Sequence, residues 1–447
     1  MRKVHLIGIG GVGMSALATA LVRQGCVVTG ADRARETPNV LFLESLGVTV
    51  FPDDGSGIDA TTDEVIVSTA IEETNAGLRK AHALGIPVTH RAKALACALG
   101  GHKLVAVVGT CGKSTVTAML GHVLSECGLD PLCVNGANVP GWEGAVRFGQ
   151  GDYAVAEVDE SDKSLVAFRP YAAIVTNASA DHYSKEEMDE VFDAFIKGCK
   201  GPVIDGRNEL SRVVPGCARE VEVSIPGRHN RQNAALALRM AVALGCDAAR
   251  ARAALLSFKG VERRLQRITP ESSDRSSAFP SVYDDYAHNP EKLKAMWMTL
   301  AEKYPQGVCA IWRPHGYAPL RKMCGALAAM FAETIRPQDR LLLLPVYDAG
   351  GTTDRSINAA ALVEEMARQG ATAVARVVCI PDLDAAFDWC AARGADFGCF
   401  VTCGARDMGL PRLAQRLAAC FSCVRGGVRT SQRRERDDST ERTPRLR

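Results

Sequence analysis

The chain has 447 residues, of which 47% are hydrophobic and 23% are charged, and this length predicts about two to four domains rather than a single one. A net charge of only +2 argues against a general nucleic-acid-binding protein, and no apolar run is long enough to span a membrane. The chain opens on a strand pattern without a secretory leader, so we expect a cytoplasmic protein whose cysteines are reduced.

The first 100 residues alternate strand and helix patterns, which predicts a parallel α/β domain over residues 1–100. Four glycines form a G-x-G-x-x-G pattern between its first strand and first helix: Gly8, Gly10, Gly11 and Gly13. Such a loop binds a diphosphate, and Asp32, at the end of the next strand, is placed to hold a ribose hydroxyl. The pattern alone is typical of a nicotinamide dehydrogenase. Glycines that only make a tight turn are the alternative.

A second α/β domain, over residues 101–260, opens with "KLVAVVGTCGKSTVT". Its glycines lie closer together than in the common pattern G-x-x-x-x-G-K-[ST]. Gly109 and Gly112 free the backbone to surround phosphates, and Lys113 offers a positive charge to the β- and γ-phosphate oxygens. The hydroxyl of Ser114 is placed for Mg²⁺. These residue types predict phosphoryl transfer.

Polar side chains follow two later strand patterns of this domain. They are Glu157, Asp159, Glu160 and Asp162 after "YAVAEV", and Asn177, Asp181 and His182 after "AAIVT". Carboxylates and a histidine beside a phosphate loop predict a Mg²⁺ site. The alternative is that they belong to ordinary solvated loops.

A third α/β domain is predicted over residues 261–423, followed by a disordered basic tail over residues 424–447. Four cysteines near its end have a spacing that resembles a zinc site: Cys399, Cys403, Cys420 and Cys423. We favour the alternative that they are buried small hydrophobic side chains, because the first two lie in an apolar strand pattern.

Taken together and in this order, the motifs resemble the Mur ligase family over the chain up to about residue 420. The resemblance is carried by "HLIGIGGVGMSALA", "GTCGKS", "EVDESD", "IVTNASADH", "PGRHNRQNAALA", "GVERRLQ", "DDYAHNP", "RPHGY" and "VTCGARDM". The family's nucleotide loop reads G-T-x-G-K-[ST], which explains the short glycine spacing. The resemblance implies three α/β domains: a Rossmann-like N-terminal domain, a P-loop ATPase-like central domain and a Rossmann-like C-terminal domain.

This resemblance, strongest to the alanine-adding members, implies an ATP- and Mg²⁺-dependent amide ligase of peptidoglycan synthesis. It would join an amino acid, with L-alanine expected, to UDP-N-acetylmuramate through an acyl phosphate. The first glycine loop would then bind UDP rather than a dinucleotide.

The resemblance also implies roles for individual residues. Catalysis falls to Lys113, Glu157 and His182, and Mg²⁺ binding to Ser114, Glu157 and His182. The implied ATP-binding residues are Gly109, Thr110, Cys111, Gly112, Lys113, Ser114, Thr115, His229, Asn230, Asn233, Arg264, Asp285, Tyr286 and His288. UDP-sugar binding is implied for Gly8, Gly10, Gly11, Gly13 and Asp32, and His315 and Arg321 would face the amino acid.

The chain departs from the family at several positions. Cys111 replaces a histidine that is usual in alanine-adding members, and Arg321 is the one arginine kept in a stretch that usually has more. The segment after His182 is much shorter than in those members, which implies a shortened central domain. Lys197 lies near the position of a carbamylated lysine in other Mur ligases, although we favour a surface lysine.

Two alternatives to the alanine ligase stay open. One is a related ligase that adds a peptide or another amino acid during cell-wall recycling. The other is a weakly active relative that only binds UDP-sugar or nucleotide. The sequence does not indicate an oligomeric state.

Overall fold

The computed structural model describes residues 1–159, 164–178, 185–209, 221–270, 279–348 and 354–423. Glu160, Asp162, Asp181, His182 and the predicted basic tail at 424–447 lie outside the described residues. The described strands form three sheets, one of five strands and two of six.

The first sheet consists of β1 (Lys3–Ile7), β2 (Val27–Ala31), β3 (Thr49–Phe51), β4 (Glu64–Val67) and β5 (Val88–His90). Its helices are α1 (Val12–Arg23), α2 (Pro38–Ser45), α3 (Ala76–Ala83) and α4 (Arg91–Ala98). The strands are parallel, in the order β3-β2-β1-β4-β5. The order reverses beside β1, and the carboxyl ends of strands at such a point form a crevice suited to ligands.

The second sheet consists of β6 (Lys103–Val108), β7 (Leu132–Val134), β8 (Val146–Arg147), β9 (Tyr153–Glu157), β10 (Ala172–Val175) and β11 (Val203–Asp205). Its helices are α5 (Lys113–Glu126), α6 (Lys185–Ile196), α7 (Gly206–Glu209), α8 (Arg228–Ala243) and α9 (Ala248–Ser257). The order is β11-β10-β6-β9-β7-β8, and only the β7–β8 pair is antiparallel among these described strands. The first strand, β6, therefore lies between β9 and β10, whose polar ends meet beside it.

The third sheet consists of β12 (Gln266–Arg267), β13 (Ser281–Asp285), β14 (Val308–Trp312), β15 (Arg340–Leu343), β16 (Val377–Cys379) and β17 (Cys399–Cys403). Its helices are α10 (Pro290–Lys303), α11 (Tyr317–Thr334), α12 (Ala360–Arg368), α13 (Leu383–Ala391) and α14 (Gly409–Cys423). The order is β12-β13-β17-β14-β15-β16, with β12 antiparallel to β13. Hydrophobic cores cover both faces of this sheet, as parallel sheets require.

The first two sheets share a continuous hydrophobic core. Leu17 of α1 and Leu95 of α4 belong to the same buried cluster as Val146 of β8 and Leu165 of a 3₁₀ turn. An ion pair between Arg23 and Glu143, at 2.6 Å, lies at the same junction. Apolar packing therefore fixes the first sheet against the second.

The predicted fold class is confirmed, since the structure has three mostly parallel sheets with helices between their strands. The strands without a sequence prediction are short ones of two or three residues: β3, β5, β7, β8, β11 and β12. Such strands are too short for an alternating pattern to be recognised. The exact domain boundaries stay predictions. None of the helices in the described part of the chain is both long and apolar enough to cross a membrane.

Candidate functional site

The loop after β6 has the backbone geometry of a phosphate-binding loop. Gly109 and Gly112 have φ values of +126° and +84°, which glycine adopts without steric cost. A Cβ atom on Gly109 would collide with Thr176 Oγ1. Gly112 is the N-cap of α5, so the N-terminus of this helix faces the space beside the loop.

The two residues that follow Gly112 bring a cation and a hydroxyl to this loop. Lys113 Nζ donates a hydrogen bond of 2.7 Å to the carbonyl oxygen of Gly109. Ser114 is 3% exposed, and its Oγ accepts a hydrogen bond of 3.4 Å from Arg264 Nη2. Arg264 comes from the segment before the third sheet, so the second and third sheets meet at the loop.

A cavity of about 430 Å³, which we call the central cavity, lies between these two parts of the chain. Fourteen residues of the predicted site line it: Thr110, Cys111, Gly112, Lys113, Ser114, Thr115, Glu157, His229, Asn230, Asn233, Arg264, Asp285, Tyr286 and His288. Gly109, His315 and Arg321 are not among its described lining residues. The structure thus brings together most of what the sequence analysis grouped as one site.

Glu157, at the end of β9, is held by a backbone contact that no sequence motif indicated. Its Oε2 accepts a hydrogen bond of 2.7 Å from the backbone N–H of Gly136. A Cβ atom on Gly136 would collide with the Glu157 carboxylate, so only glycine permits this approach. The contact directs the carboxylate toward the loop after β7.

The first turn of α8 forms another wall of the central cavity. Asn230 and Asn233 are 3% and 8% exposed, and Asn230 Nδ2 donates to the carbonyl oxygen of Pro226 at 2.6 Å. A Cβ atom on Gly112 would lie 2.7 Å from Asn233 Oδ1, so the phosphate loop packs closely on this helix. Burial, with a smaller effect of the Arg231 charge, lowers the pKa of His229.

The segment before β12 is anchored by Asp285. This carboxylate accepts hydrogen bonds from the backbone N–H groups of Leu265, at 2.6 Å, and Ala287, at 2.7 Å. Burial raises the pKa of Asp285 to about 6, although the nearby Arg264 charge opposes the shift. Arg263 and Arg264 each place their Cζ 5.2 Å from the centre of the Tyr286 ring. These contacts fix Arg264 beside the phosphate loop.

His288 and His315 pack against each other at the edge of the central cavity. Their ring centres are 4.7 Å apart, with the ring planes at 66°. Burial is the main cause that lowers the pKa of His288 to about 3 and of His315 to about 4, and the Lys292 charge contributes to both. Both rings are therefore neutral at pH 7.

Arg321, the other residue predicted to face the amino acid, lies at the surface. Its Nη2 contacts Asp354 Oδ2 at 2.8 Å and Ser356 Oγ at 3.1 Å, and its side chain is 42% exposed. In this structure Arg321 therefore holds the segment before α12 rather than lining the cavity.

The first glycine pattern borders a second cavity of about 420 Å³, which we call the N-terminal cavity. Its described lining residues are Gly8, Asp32, Arg33, Asp53, Ala70, Ile71, Glu72, Thr74, Asn75 and Ala76. Asp32 Oδ2 accepts from the backbone N–H of Gly10 at 2.8 Å, and its Oδ1 accepts from Ala34 N at 2.9 Å. Asp32 thus holds the glycine loop while facing the cavity. Gly10, Gly11 and Gly13 support this loop without being among the lining residues.

Ser114 and Glu157 supply hard oxygen donors within one cavity, which is the donor type that Mg²⁺ prefers. Among the described residues, no group of three or more His, Cys, Asp or Glu side chains is arranged to hold a metal ion. His182, the third predicted ligand, lies outside the described residues. A Mg²⁺ ion that keeps several waters and binds phosphate oxygens needs only one or two protein ligands, so the residues present fit such an ion.

The remaining cysteine and lysine candidates lie elsewhere. Cys399 and Cys403 are buried at the two ends of β17, about 13 Å apart along the strand, so they cannot bind one ion together. Lys197 is exposed after α6 and is not among the described residues that line the central cavity.

Two family models match the chain. The model described as "Mur ligase family, catalytic domain" matches residues 3–103, and "Mur ligase, glutamate ligase domain" matches residues 263–406. The second match includes Arg264, Asp285 and His288 of the central cavity.

Curated relatives span most of the chain. The UDP-N-acetylmuramate--L-alanine ligase of Arthrobacter sp. (strain FB24) is 34% identical over 396 residues, covering 78% of this chain and 82% of that protein. The enzyme of the same name from Renibacterium salmoninarum is 32% identical over 456 residues, covering 91% of this chain and 94% of that protein.

Solved structures share the fold. A UDP-N-acetylmuramate-alanine ligase from Thermotoga maritima has a TM-score of 0.77 and 24% identity, covering 95% of this chain and 100% of that one. A murein peptide ligase from Psychrobacter arcticus has a TM-score of 0.63 and 20% identity, covering 94% and 99%.

Proposed function

The chain belongs to the Mur ligase family, and from this premise we propose that it joins L-alanine to UDP-N-acetylmuramate with ATP as the energy source. The observation that carries the proposal is the central cavity, where the phosphate loop, Glu157 and residues of the third sheet converge. Relatives more than 30% identical over most of the chain bear the name of this activity, which supports the choice of substrates.

The proposed reaction begins with transfer of the γ-phosphoryl group of ATP to the carboxylate of UDP-N-acetylmuramate. Transition states of phosphoryl transfer carry negative charge on the transferred oxygens, which positioned donors stabilise. The backbone N–H groups of the phosphate loop supply such donors. Lys113 would exchange its hydrogen bond to the Gly109 carbonyl for one to a phosphate oxygen.

Mg²⁺ would be held by Ser114 and Glu157, and when bound it would supply positive charge against the phosphate oxygens. Glu157 is already oriented by the Gly136 N–H, so it needs little rearrangement to accept the ion. Arg264, which contacts Ser114 here, is close enough to add its charge to the same phosphates.

The ammonium group of the amino acid would lose a proton to solvent, and its neutral amine would attack the acyl carbon of the acyl phosphate; inorganic phosphate leaves and the second proton is released as the amide forms. His288 and His315, both neutral at pH 7, would offer hydrogen bonds without adding charge beside the incoming ammonium group. The N-terminal cavity would hold the UDP part of the other substrate, since it borders the first glycine loop. The cytoplasmic location stays a prediction.

A second candidate is a family ligase that adds a peptide or another amino acid. It is favoured by the position of Arg321, the one arginine retained in its stretch, which pairs with Asp354 rather than facing the central cavity. Substrate profiling separates the two candidates.

The test is phosphate release from ATP by the purified full-length chain, with UDP-N-acetylmuramate and each amino acid in turn. We expect release to depend on both substrates and to be fastest with L-alanine. Release that is faster with a peptide would favour the second candidate. Absence of turnover with every combination would contradict the ligase function and leave only a binding role.

A further inference from the structure

The end of β10 contacts the phosphate loop through two side chains without an assigned role in the reaction. Asn177 Oδ1 accepts hydrogen bonds from Thr110 Oγ1, at 2.6 Å, and from the backbone N–H of Cys111, at 2.9 Å. Asn177 Nδ2 donates to the carbonyl oxygen of Cys111 at 2.9 Å. Thr176 Oγ1 donates to the same carbonyl at 2.6 Å. The backbone of residue 111 is thus held from both sides.

These contacts fix the orientation of the Asn177 amide. A flipped amide would place its NH₂ group against the Cys111 N–H and its oxygen against the Cys111 carbonyl, so both contacts would be repulsive. The side chain therefore pairs with the loop backbone as a neighbouring strand would.

The same contacts use the hydrogen-bonding capacity of the Asn177 carboxamide oxygen. A carboxamide oxygen has two lone pairs, and here Thr110 and Cys111 occupy both. Asn177 is consequently a partner of the loop, and the predicted Mg²⁺ ligands remain Ser114, Glu157 and His182.

The loop needs such a partner because its glycines leave it flexible. Gly109 and Gly112 both have positive φ, and glycine loses more conformational freedom than other residues when it is ordered. If the loop became ordered only when ATP binds, the free-energy cost of ordering it would weaken the binding of ATP. In an anchored loop this loss of conformational entropy occurs when the protein folds, before ATP binds.

We propose that Asn177, assisted by Thr176, is a positioning residue that presets the phosphate loop for the triphosphate. The proposal rests on the ATP-dependent function proposed above. According to this proposal, Asn177 strengthens the binding of ATP by holding the loop backbone, and it does not affect binding of UDP-N-acetylmuramate in the N-terminal cavity.

The test compares Asn177→Ala and Asn177→Asp with the wild-type chain in the phosphate-release assay. Asp has the shape of Asn, but its second oxygen would face the Cys111 carbonyl, so we expect both variants to raise the KM for ATP about 10- to 100-fold. The KM for UDP-N-acetylmuramate should stay unchanged. A merely space-filling role would leave Asn177→Asp like the wild type, and either that result or an equal rise in both KM values would overturn the proposal.

Thr176 provides an independent pair of variants if those at Asn177 fail to fold. Thr176→Ser keeps the hydroxyl and should behave as the wild type, whereas Thr176→Val should raise the KM for ATP about threefold to tenfold. Equal KM values for the two variants would contradict the proposal. The matched control is Asn358→Ala, which removes an exposed amide oxygen that accepts from Ala361 N at 3.2 Å, and should leave both KM values unchanged.

Calorimetric titration of each protein with ATP alone separates this proposal from the proposed function. If the wild type binds ATP and the Asn177 variants bind it correspondingly more weakly, the anchor is supported even without turnover. If the wild type binds ATP and the variants bind equally well, the anchor is refuted while the ligase function is untouched. If the wild type binds no ATP, both proposals are wrong.

Discussion

The protein has two glycine-rich loops, and each follows the first strand of a mostly parallel sheet. Each borders a cavity of similar size, about 420 Å³ at the first loop and about 430 Å³ at the second. The partners that hold the loops differ. The first loop is held by the carboxylate of Asp32, and the second by the uncharged side chains of Asn177 and Thr176.

This difference is matched by the charges around each cavity. The described lining of the N-terminal cavity has three carboxylates, Asp32, Asp53 and Glu72, and one cation, Arg33, which pairs with Asp53. The described lining of the central cavity also has three carboxylates, Glu157, Asp285 and Glu291, but it has four cations, Lys113, Arg239, Arg264 and Lys292. A loop held by a carboxylate brings negative charge toward its ligand, whereas an amide holds a loop without charge. The two loops, which look alike in sequence, therefore differ in the charge of their anchor and in the number of cations that line their cavities.

The strongest test of this comparison is Lys113→Ala. We expect turnover to fall by about 10²–10³-fold or more, because the lysine is a charge aimed at the transferred phosphate. Binding of UDP-N-acetylmuramate, measured by calorimetry, should change less than about twofold. Lys322→Ala, an exposed lysine of α11, is the control. Loss of UDP-sugar binding in the Lys113 variant would show that the two cavities are not independent.

The reciprocal change is Asp32→Ala in the N-terminal cavity. It removes the acceptor of the Gly10 and Ala34 N–H groups, so the first loop loses its anchor. We expect the KM for UDP-N-acetylmuramate to rise about tenfold and the KM for ATP to stay constant, as measured by phosphate release. Asp152→Ala removes a carboxylate that is 79% exposed and serves as the control. An Asp32 variant with a raised KM for ATP would contradict the separation.

Much of this fold was predictable because its longer strands and helices have clear periodicity. The sequence indicated eleven of the described strands, namely β1, β2, β4, β6, β9, β10, β13, β14, β15, β16 and β17. Of the strands with two or three residues only β16, in "ARVVCIPD", was indicated, since such strands gain their stability from pairing with neighbours rather than from their own pattern.

The sequence predicted which residues lie near one another in the candidate site better than it predicted the hydrogen bonds between them. Lys113 and Glu157 line one cavity because they follow neighbouring parallel strands of the second sheet, whereas Asp285, which the family resemblance added, reaches the same cavity from the third sheet. Their roles stay predictions. The Gly136 contact to Glu157 and the Asn177 contacts to Cys111 depend on which backbone groups come together across the sheet. Nothing in the local sequence specifies such long-range pairs.

A smaller effect is expected from acidification of the central cavity. The pKa of His288, about 3, and that of His315, about 4, lie below the ordinary histidine value of 6.5. The folded protein therefore favours the neutral form of both rings. The stability that these neutral rings contribute is complete above pH 6.5 and is lost as the pH falls toward 4. Asp285, with its pKa raised to about 6, acts in the opposite direction, since its contribution is lost as the pH rises from about 4 to 6.

Over the range from pH 7.5 to pH 5 each histidine loses about 2 kcal/mol and the carboxyl group returns about 1.4 kcal/mol, so we expect these three groups to lower the free energy of unfolding by about 2–3 kcal/mol. His288→Asn should reduce this fall by about 2 kcal/mol, as measured by the shift of the urea midpoint between the two pH values. His82→Asn, at an exposed position of α3, should respond to pH as the wild type does. If the His288 variant lost as much stability at pH 5 as the wild type does, protonation of other groups would be the cause of the fall.

The smallest effect is expected from Cys111→Ala, although Cys111 lies in the centre of the phosphate loop. Asn177 and Thr176 hold this residue by its backbone N–H and carbonyl groups, which alanine also provides. The KM for ATP should therefore change by less than about threefold, the size of an ordinary substitution without a special contact. Cys97→Ala, at an exposed cysteine of α4, is the control. If the KM for ATP rose as much as it does in Asn177→Ala, the side chain at position 111 would help to hold the loop in place. The contacts of Asn177 and Thr176 to the backbone would then not be sufficient to explain the geometry of the loop.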